Sequence, residues 1–237
     1  RLLGLAPADI FRAVNIAACQ MGFSLYLPER SGATVRNVYL AHSARAGLDA
    51  ALAAQAGIGA PEDAMPDYAE RFCPADPEPL PGAATDLILD GYLKPFAAVR
   101  HAHYGAIAAR RLRAELGGRT ESIRRIELRT YEEAITYCGN RNPQAPLTAQ
   151  FSLGFGVAAM LRFGVLDPTC YDPANFADPE LRRLESLVEF VRDDELTSKR
   201  QRGARLTVVA DREYSGSVSA TDPDLHLDAA KATEKFA

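Results

Sequence analysis

Ile126-Glu127-Leu128-Arg129-Thr130 alternates apolar and polar side chains with a period of two, and residues 131–138 that follow read as a short helix. Such alternation is what a strand with one buried face requires, so this stretch places a β-sheet in the chain. Outward from it, residues 102–116 read as a helix that stops at Gly117-Gly118, and 148–163 as another. Residues 179–194 carry Leu181, Leu184, Leu187, Val188 and Val191 on one helical face, with Asp178 as N-cap and Pro179 at the first helical position. Leu206-Thr207-Val208-Val209 and 213–219 form a hairpin pattern that turns at Asp211-Arg212, and a last helix starts near Asp228. Leu87-Ile88-Leu89, just before Asp90-Gly91, is a further strand candidate. Helices laid on a sheet make this part a two-layer α/β unit.

The N-terminal part reads differently. Pro7 opens a helix over 7–21, where Ile10, Phe11, Val14, Ala17 and Ala18 recur at helical spacing before Gly22. A second, alanine-rich helix covers 35–56 and ends at Gly57. Prolines 61, 66, 74, 77, 79 and 81 then crowd 58–84 without any period, the signature of a connector. The class is therefore α+β: a helical piece, a proline-rich link and an α/β unit.

Composition narrows the function. The chain has 237 residues, 27 Lys+Arg against 31 Asp+Glu and a net charge of −4, which argues against a general nucleic-acid binder. No apolar run nears the roughly 18 residues of a membrane span, and no signal peptide is read, so a soluble, cytoplasmic protein is expected. Cys19, Cys73, Cys138 and Cys170 lack CxxC spacing, which points to neither a disulfide framework nor a zinc site.

Two polar clusters remain. Lys94-Pro95-Phe96-Ala97-Ala98-Val99-Arg100-His101-Ala102-His103-Tyr104 holds two of the four histidines beside two fixed cations, just before a helix. Neighbouring cations lower an imidazole's affinity for a proton and leave it available as a base, which suits proton transfer on an anionic substrate. The same residues would also suit a solvated helix start. His101-x-His103 as a metal pair lacks a recognisable third and fourth ligand, because His42 and His226 come without partner spacing; no metal is expected. In the second cluster, Arg36, Tyr39 and either His42 or Ser43 share one helical face and can grip a carboxylate, with a solvated face as the bland alternative. Gly154-x-Gly156 is not a dinucleotide fingerprint, and Ser152 reads as a helix cap rather than a nucleophile.

Three blocks together resemble the MmgE/PrpD family, which includes 2-methylcitrate dehydratase, cis-aconitate decarboxylase and iminodisuccinate epimerase. They are Arg36 to Gly57, Lys94 to His103, and Cys138-Gly139-Asn140-Arg141-Asn142-Pro143 leading into Ala149-Gln150-Phe151-Ser152-Leu153. The resemblance implies that 1–57 are the end of an all-helical domain, 58–93 a connector, 94–220 a smaller α/β lid domain and 221–237 the start of a return to the helical domain. It also implies that family members carry many more residues before position 1, in keeping with a chain that opens at Arg1 directly into a helix. A cofactor-free homodimer acting on a small di- or tricarboxylic acid is implied, with Lys94 and His103 at family site positions; His101, from the cluster itself, joins them as a catalytic candidate. Arg36 and Cys138 also fall at family site positions, and the two clusters add Tyr39, His42 and Arg100 as substrate-binding candidates. Val99 stands where the decarboxylase has an active-site histidine and Cys138 where it has a tyrosine, which favours a hydro-lyase or an epimerase over a decarboxylase. A split-subunit or non-catalytic member, and a small-anion binding module, are the competing readings.

Overall fold

The computed structural model describes residues 3–22, 33–72 and 91–236. The chain divides into two compact units, one formed by Arg1–Pro28 with Ala33–Leu87, the other by Glu29–Gly32 with Ile88–Ala237.

The described residues of the first unit are helical. Helix α1 spans Pro7–Gln20, and a 3-10 turn at Thr34–Val38 runs into α2, Tyr39–Gln55. The expected helix over 35–56 thus begins as a tighter turn, since Thr34, Val35 and Val38 are β-branched and crowd a first α-helical turn. Helices α1 and α2 meet through Ile16, Ala50 and Ala54, flanked by Ala13, Ala17 and Ala53, and the short side chains bring the two backbones close. The apolar stripe read from the sequence is only partly the packed face: Ile10, Phe11 and Val14 are exposed, whereas Asn15, Ile16 and Ala18 are buried. A third helix, α3, Ala64–Phe72, lies inside the stretch read as periodless. Pro66 does not prevent it, because a proline in the first turn removes an N–H that has no helical partner. The buried Asn15 side chain accepts from Met65 N at 3.1 Å and so fixes the start of α3 on α1. The strand candidate Leu87-Ile88-Leu89 lies outside the described residues.

In the second unit, α4 (Arg100–Glu115) precedes β1 (Arg125–Thr130), which runs into α5 (Glu132–Cys138). Then come α6 (Pro146–Gln150), α7 (Leu153–Phe163), the single turn α8 (Pro173–Phe176) and α9 (Pro179–Ser186). Strand β2 (Val188–Arg192), α10 (Asp194–Ser198), the hairpin β3 (Gly203–Val209) and β4 (Glu213–Ser219), and α11 (Ala229–Phe236) complete it. The sheet order is β2-β1-β3-β4, with β1 and β2 parallel and the other pairs antiparallel.

The predicted alternation in β1 sets the layers. Ile126, Leu128 and Thr130 are buried and face the helices with Leu206, Val208, Tyr214 and Val218. The opposite face is polar: Arg125 pairs with Glu189 at 2.9 Å and with Glu127 at 3.0 Å. Gly105 sits where α4 meets both α7 and β1; a Cβ there would lie 3.0 Å from Val157 and 3.1 Å from Leu128. The single helix expected over 179–194 is instead α9 followed by β2. Asp178 caps α9 through Leu181 N as predicted, but Leu187 N closes onto Leu184 O and Val188 then pairs with Ile126. Val188, Phe190 and Val191 are β-branched or aromatic, and they gain more as a parallel partner to β1 than as another helical turn. The helix expected over 148–163 is two, broken at Phe151-Ser152, where Ser152 Oγ caps α7 through Phe155 N at 3.1 Å. Among the described residues, no helix is long and apolar enough to cross a membrane.

Candidate active site

Residues 94–99 form the bent approach to α4, stitched down at several points. Ala97 N donates to Leu166 O at 2.9 Å, Val99 N to Gln150 O at 2.8 Å, and the Tyr171 hydroxyl to Ala97 O at 2.7 Å. With Phe96 and Ala98 buried, this anchors the segment against the core and aims the first turn of α4.

Two residues apart on a helix means about 200° apart, so His101 and His103 leave α4 on different sides. His103 is fully buried. Its Nε2 lies 3.2 Å from Ala98 O; since a carbonyl only accepts, Nε2 carries the proton and Nδ1 keeps its lone pair. That Nδ1 is buried without a hydrogen-bond partner among the described residues. Burial, with Arg100, Lys94 and Lys235 adding to it, pushes His103 down to about 4 despite the opposing hydrogen bond to Ala98. Lys94 Nζ approaches the same Ala98 carbonyl at 3.5 Å, and Lys235 Nζ holds the Lys94 carbonyl at 2.6 Å.

His101 is half-buried and meets Tyr131, the residue that joins β1 to α5. His101 Nδ1 and the Tyr131 hydroxyl are 2.5 Å apart. Burial lowers the pKa of His101, opposed by Glu133 and assisted by Arg202 and Lys94. Burial likewise pushes the Tyr131 phenol well above its ordinary range, so it stays protonated. When His101 Nδ1–H donates to the phenol oxygen, Nε2 is left with a bare lone pair, the form a general base needs.

Tyr131 also forms part of the wall of a cleft of about 440 Å³, together with Glu133, Thr136, Tyr137, Arg200 and Arg202. Glu133 faces Arg202 at 3.9 Å across it. The spacing in the sequence singled out neither Tyr131 nor these arginines. The available signal was the position of Tyr131, a polar aromatic at the end of a buried strand, where a sheet presents side chains to a ligand.

The other expected site residues are placed as follows. Arg100 donates to Leu225 O at 2.7 Å and lies over the Tyr92 ring at 4.4 Å. Cys138 is buried at the end of α5, and burial, with Glu133 adding to it, pushes its thiol up to about 12, so it remains an uncharged thiol. Arg36, Tyr39 and His42 belong to the helical unit: Arg36 in the 3-10 turn, Tyr39 as the first residue of α2, and His42 exposed one turn later. Among the described residues, no group of three or more His, Cys, Asp or Glu side chains is arranged to hold a metal ion.

Comparison with known protein families matches residues 96–237 to the MmgE/PrpD C-terminal domain. No curated protein matches the chain. The matched segment is more than half of the sequence and contains α4, the whole sheet and the His101–Tyr131 pair. The chain belongs to the MmgE/PrpD family.

Proposed function

We propose that the protein is a lyase acting on a small di- or tricarboxylic acid, a hydro-lyase of the 2-methylcitrate dehydratase kind, working without metal or organic cofactor. The observation that carries this reading is the His101–Tyr131 pair: a half-buried imidazole, lowered in pKa and oriented by a protonated phenol, within a family whose members include lyases. His101 Nε2 removes a proton from the carbon beside a carboxylate. The C–H electron pair becomes the new C=C bond as the neighbouring C–O bond breaks, and the imidazolium returns its proton to the departing hydroxide, giving the unsaturated acid and water. Negative charge grows beside the carboxylate on the way, and fixed cations aimed at it lower the barrier.

Lys94 is the proposed cation at this position, with Arg100 as a second contact. His103 acts as a positioning residue: its Nε2–H holds the Ala98 carbonyl that Lys94 also approaches. Arg36, Tyr39 and His42 on the helical unit are proposed to bind a carboxylate, and Cys138 is a buried neutral thiol. An epimerase or isomerase uses the same first step, with the proton returned to the carbon instead of to hydroxide. We further propose a cytoplasmic homodimer.

The test is turnover on a panel of citrate-, aconitate- and methylcitrate-like acids. Loss or gain of water is expected with at least one of them, and Lys94→Ala should raise KM and lower kcat together, because a cation touching a carboxylate helps the transition state more than the ground state. A panel on which the protein has no turnover contradicts the reading. A split-subunit form is favoured by one observation, the exposure of Phe11, Val38 and Leu40 on the helical unit. It predicts turnover only when a partner chain is supplied.

A further inference from the structure

Helices α2, α4 and α10 end in the same way. After α2, Gly57 N bonds Ala54 O and Ile58 N bonds Ala53 O; after α4, Gly117 N bonds Ala114 O and Gly118 N bonds Arg113 O. After α10, Arg200 N bonds Thr197 O and Gln201 N bonds Leu196 O. This double closure requires a left-handed residue just past the cap, which is why glycine is usual there. Gly57 and Gly117 have φ of 83° and 61°, but the third position holds an arginine at φ 51°. Among the described residues it is the one non-glycine with positive φ. A side chain kept where the backbone favours none calls for a reason beyond the fold.

Its surroundings supply one. Arg200 lines the cleft that Tyr131 walls, and its guanidinium makes no hydrogen bond or ion pair among the described residues. Nearby charges are matched: Arg202 with Glu133 at 3.9 Å, Arg192 with Glu132 at 3.3 Å, Lys199 with Glu195 at 2.7 Å. Both carboxylates of the cleft wall, Glu132 and Glu133, thus already face a cation, and the positive charge of Arg200 is left over. A planar fork of donors at a cleft is suited to a carboxylate held by two parallel hydrogen bonds.

We propose that Arg200 is a specificity-determining residue that binds a carboxylate of the substrate remote from the reacting carbon. This rests on the function proposed above for the class of acid, and it adds a subsite on the His101–Tyr131 side of the unit.

Propane-1,2,3-tricarboxylate, which has no hydroxyl to lose, serves as an unreactive probe, with binding followed by calorimetry and melting by differential scanning calorimetry. Arg200→Gly should weaken the probe's Kd by about 10- to 100-fold, the usual range for a charge-assisted contact. The same substitution should raise Tm by about 1–3 °C, because it relieves the left-handed backbone. Arg200→Gln, which keeps the backbone strain, should lose binding without that gain. If Arg200→Gly binds the probe as tightly as the parent, or the parent does not bind it, the inference is overturned. Turnover by a parent whose Arg200→Gly variant keeps its Kd would leave the hydro-lyase reading standing without this subsite. Loss of binding in a protein that turns over no acid would leave the subsite standing without that reading.

Discussion

At the scale of single residues, the difference between His101 and His103 decides what each can do. Both sit on the first turns of α4, but one ring reaches Tyr131 in a half-buried position and the other is sealed under Phe96 and Ala98. Nuclear magnetic resonance of the imidazole nitrogens should show His103 neutral, with its proton on Nε2, down to a midpoint near 4. A midpoint close to the ordinary 6.5 would contradict the burial of the ring. The sequence made both histidines visible as a cluster with Lys94 and Arg100. It could not separate them, because the two sides of α4 differ only in what Tyr131 and the Lys94–Val99 bend bring against them, and those contacts span up to thirty residues. Cys138 shows the same limit: the sequence offers it as a substrate-binding candidate, and burial leaves it a neutral thiol.

Elements were legible where one period had no rival. Strand β1, the β3–β4 hairpin and helix α4 follow from alternation, turn residues and helical spacing, the caps at Ser152 and Asp178 act as read, and the last helix starts beside Asp228 as expected. The failure at 187–192 has a physical cause: Leu187, Val188 and Val191 satisfy a helical stripe continuing α9, and Val188 with Phe190 equally satisfies a strand. Only the open edge of β1 resolves the choice. Ser152 bears on a second join, since its Oγ both caps α7 and donates to Asn140 O at 2.7 Å, tying the loop after α5 to the start of α7. Ser152→Ala should therefore cost about 1–2 kcal/mol in denaturant unfolding, the usual worth of a cap and one buried hydrogen bond. A change in midpoint too small to resolve would show that the cap is not needed to hold the break at Phe151.

For the molecule as a whole, two buried titratable groups oppose one another. His103, held near 4, makes stability fall as pH drops below its ordinary 6.5, since the unfolded chain then takes a proton that the folded one refuses. Glu185 on α9 acts in the other sense. Burial pushes it up to about 7 from 4.5, against the pull of Arg182 at 2.8 Å, so stability falls as pH rises through that window. Its Oε1 is buried without a hydrogen-bond partner among the described residues. Glu185→Gln should match the parent below pH 4.5 and gain on it as pH rises to about 7, by at most roughly 3 kcal/mol. Equal pH profiles for the two proteins would contradict the buried acid.

The central claim is that His101 moves a proton at a carbon beside a carboxylate, and isotope exchange on reversal of the reaction follows that proton. With the panel acids in D2O, the protein should exchange the hydrogen on that carbon for deuterium, followed by proton NMR. His101→Asn should slow exchange by about 10²–10⁴-fold, the usual contribution of a positioned base, while the binding of propane-1,2,3-tricarboxylate stays within a few fold. Exchange by His101→Asn at the parent's rate would contradict the claim.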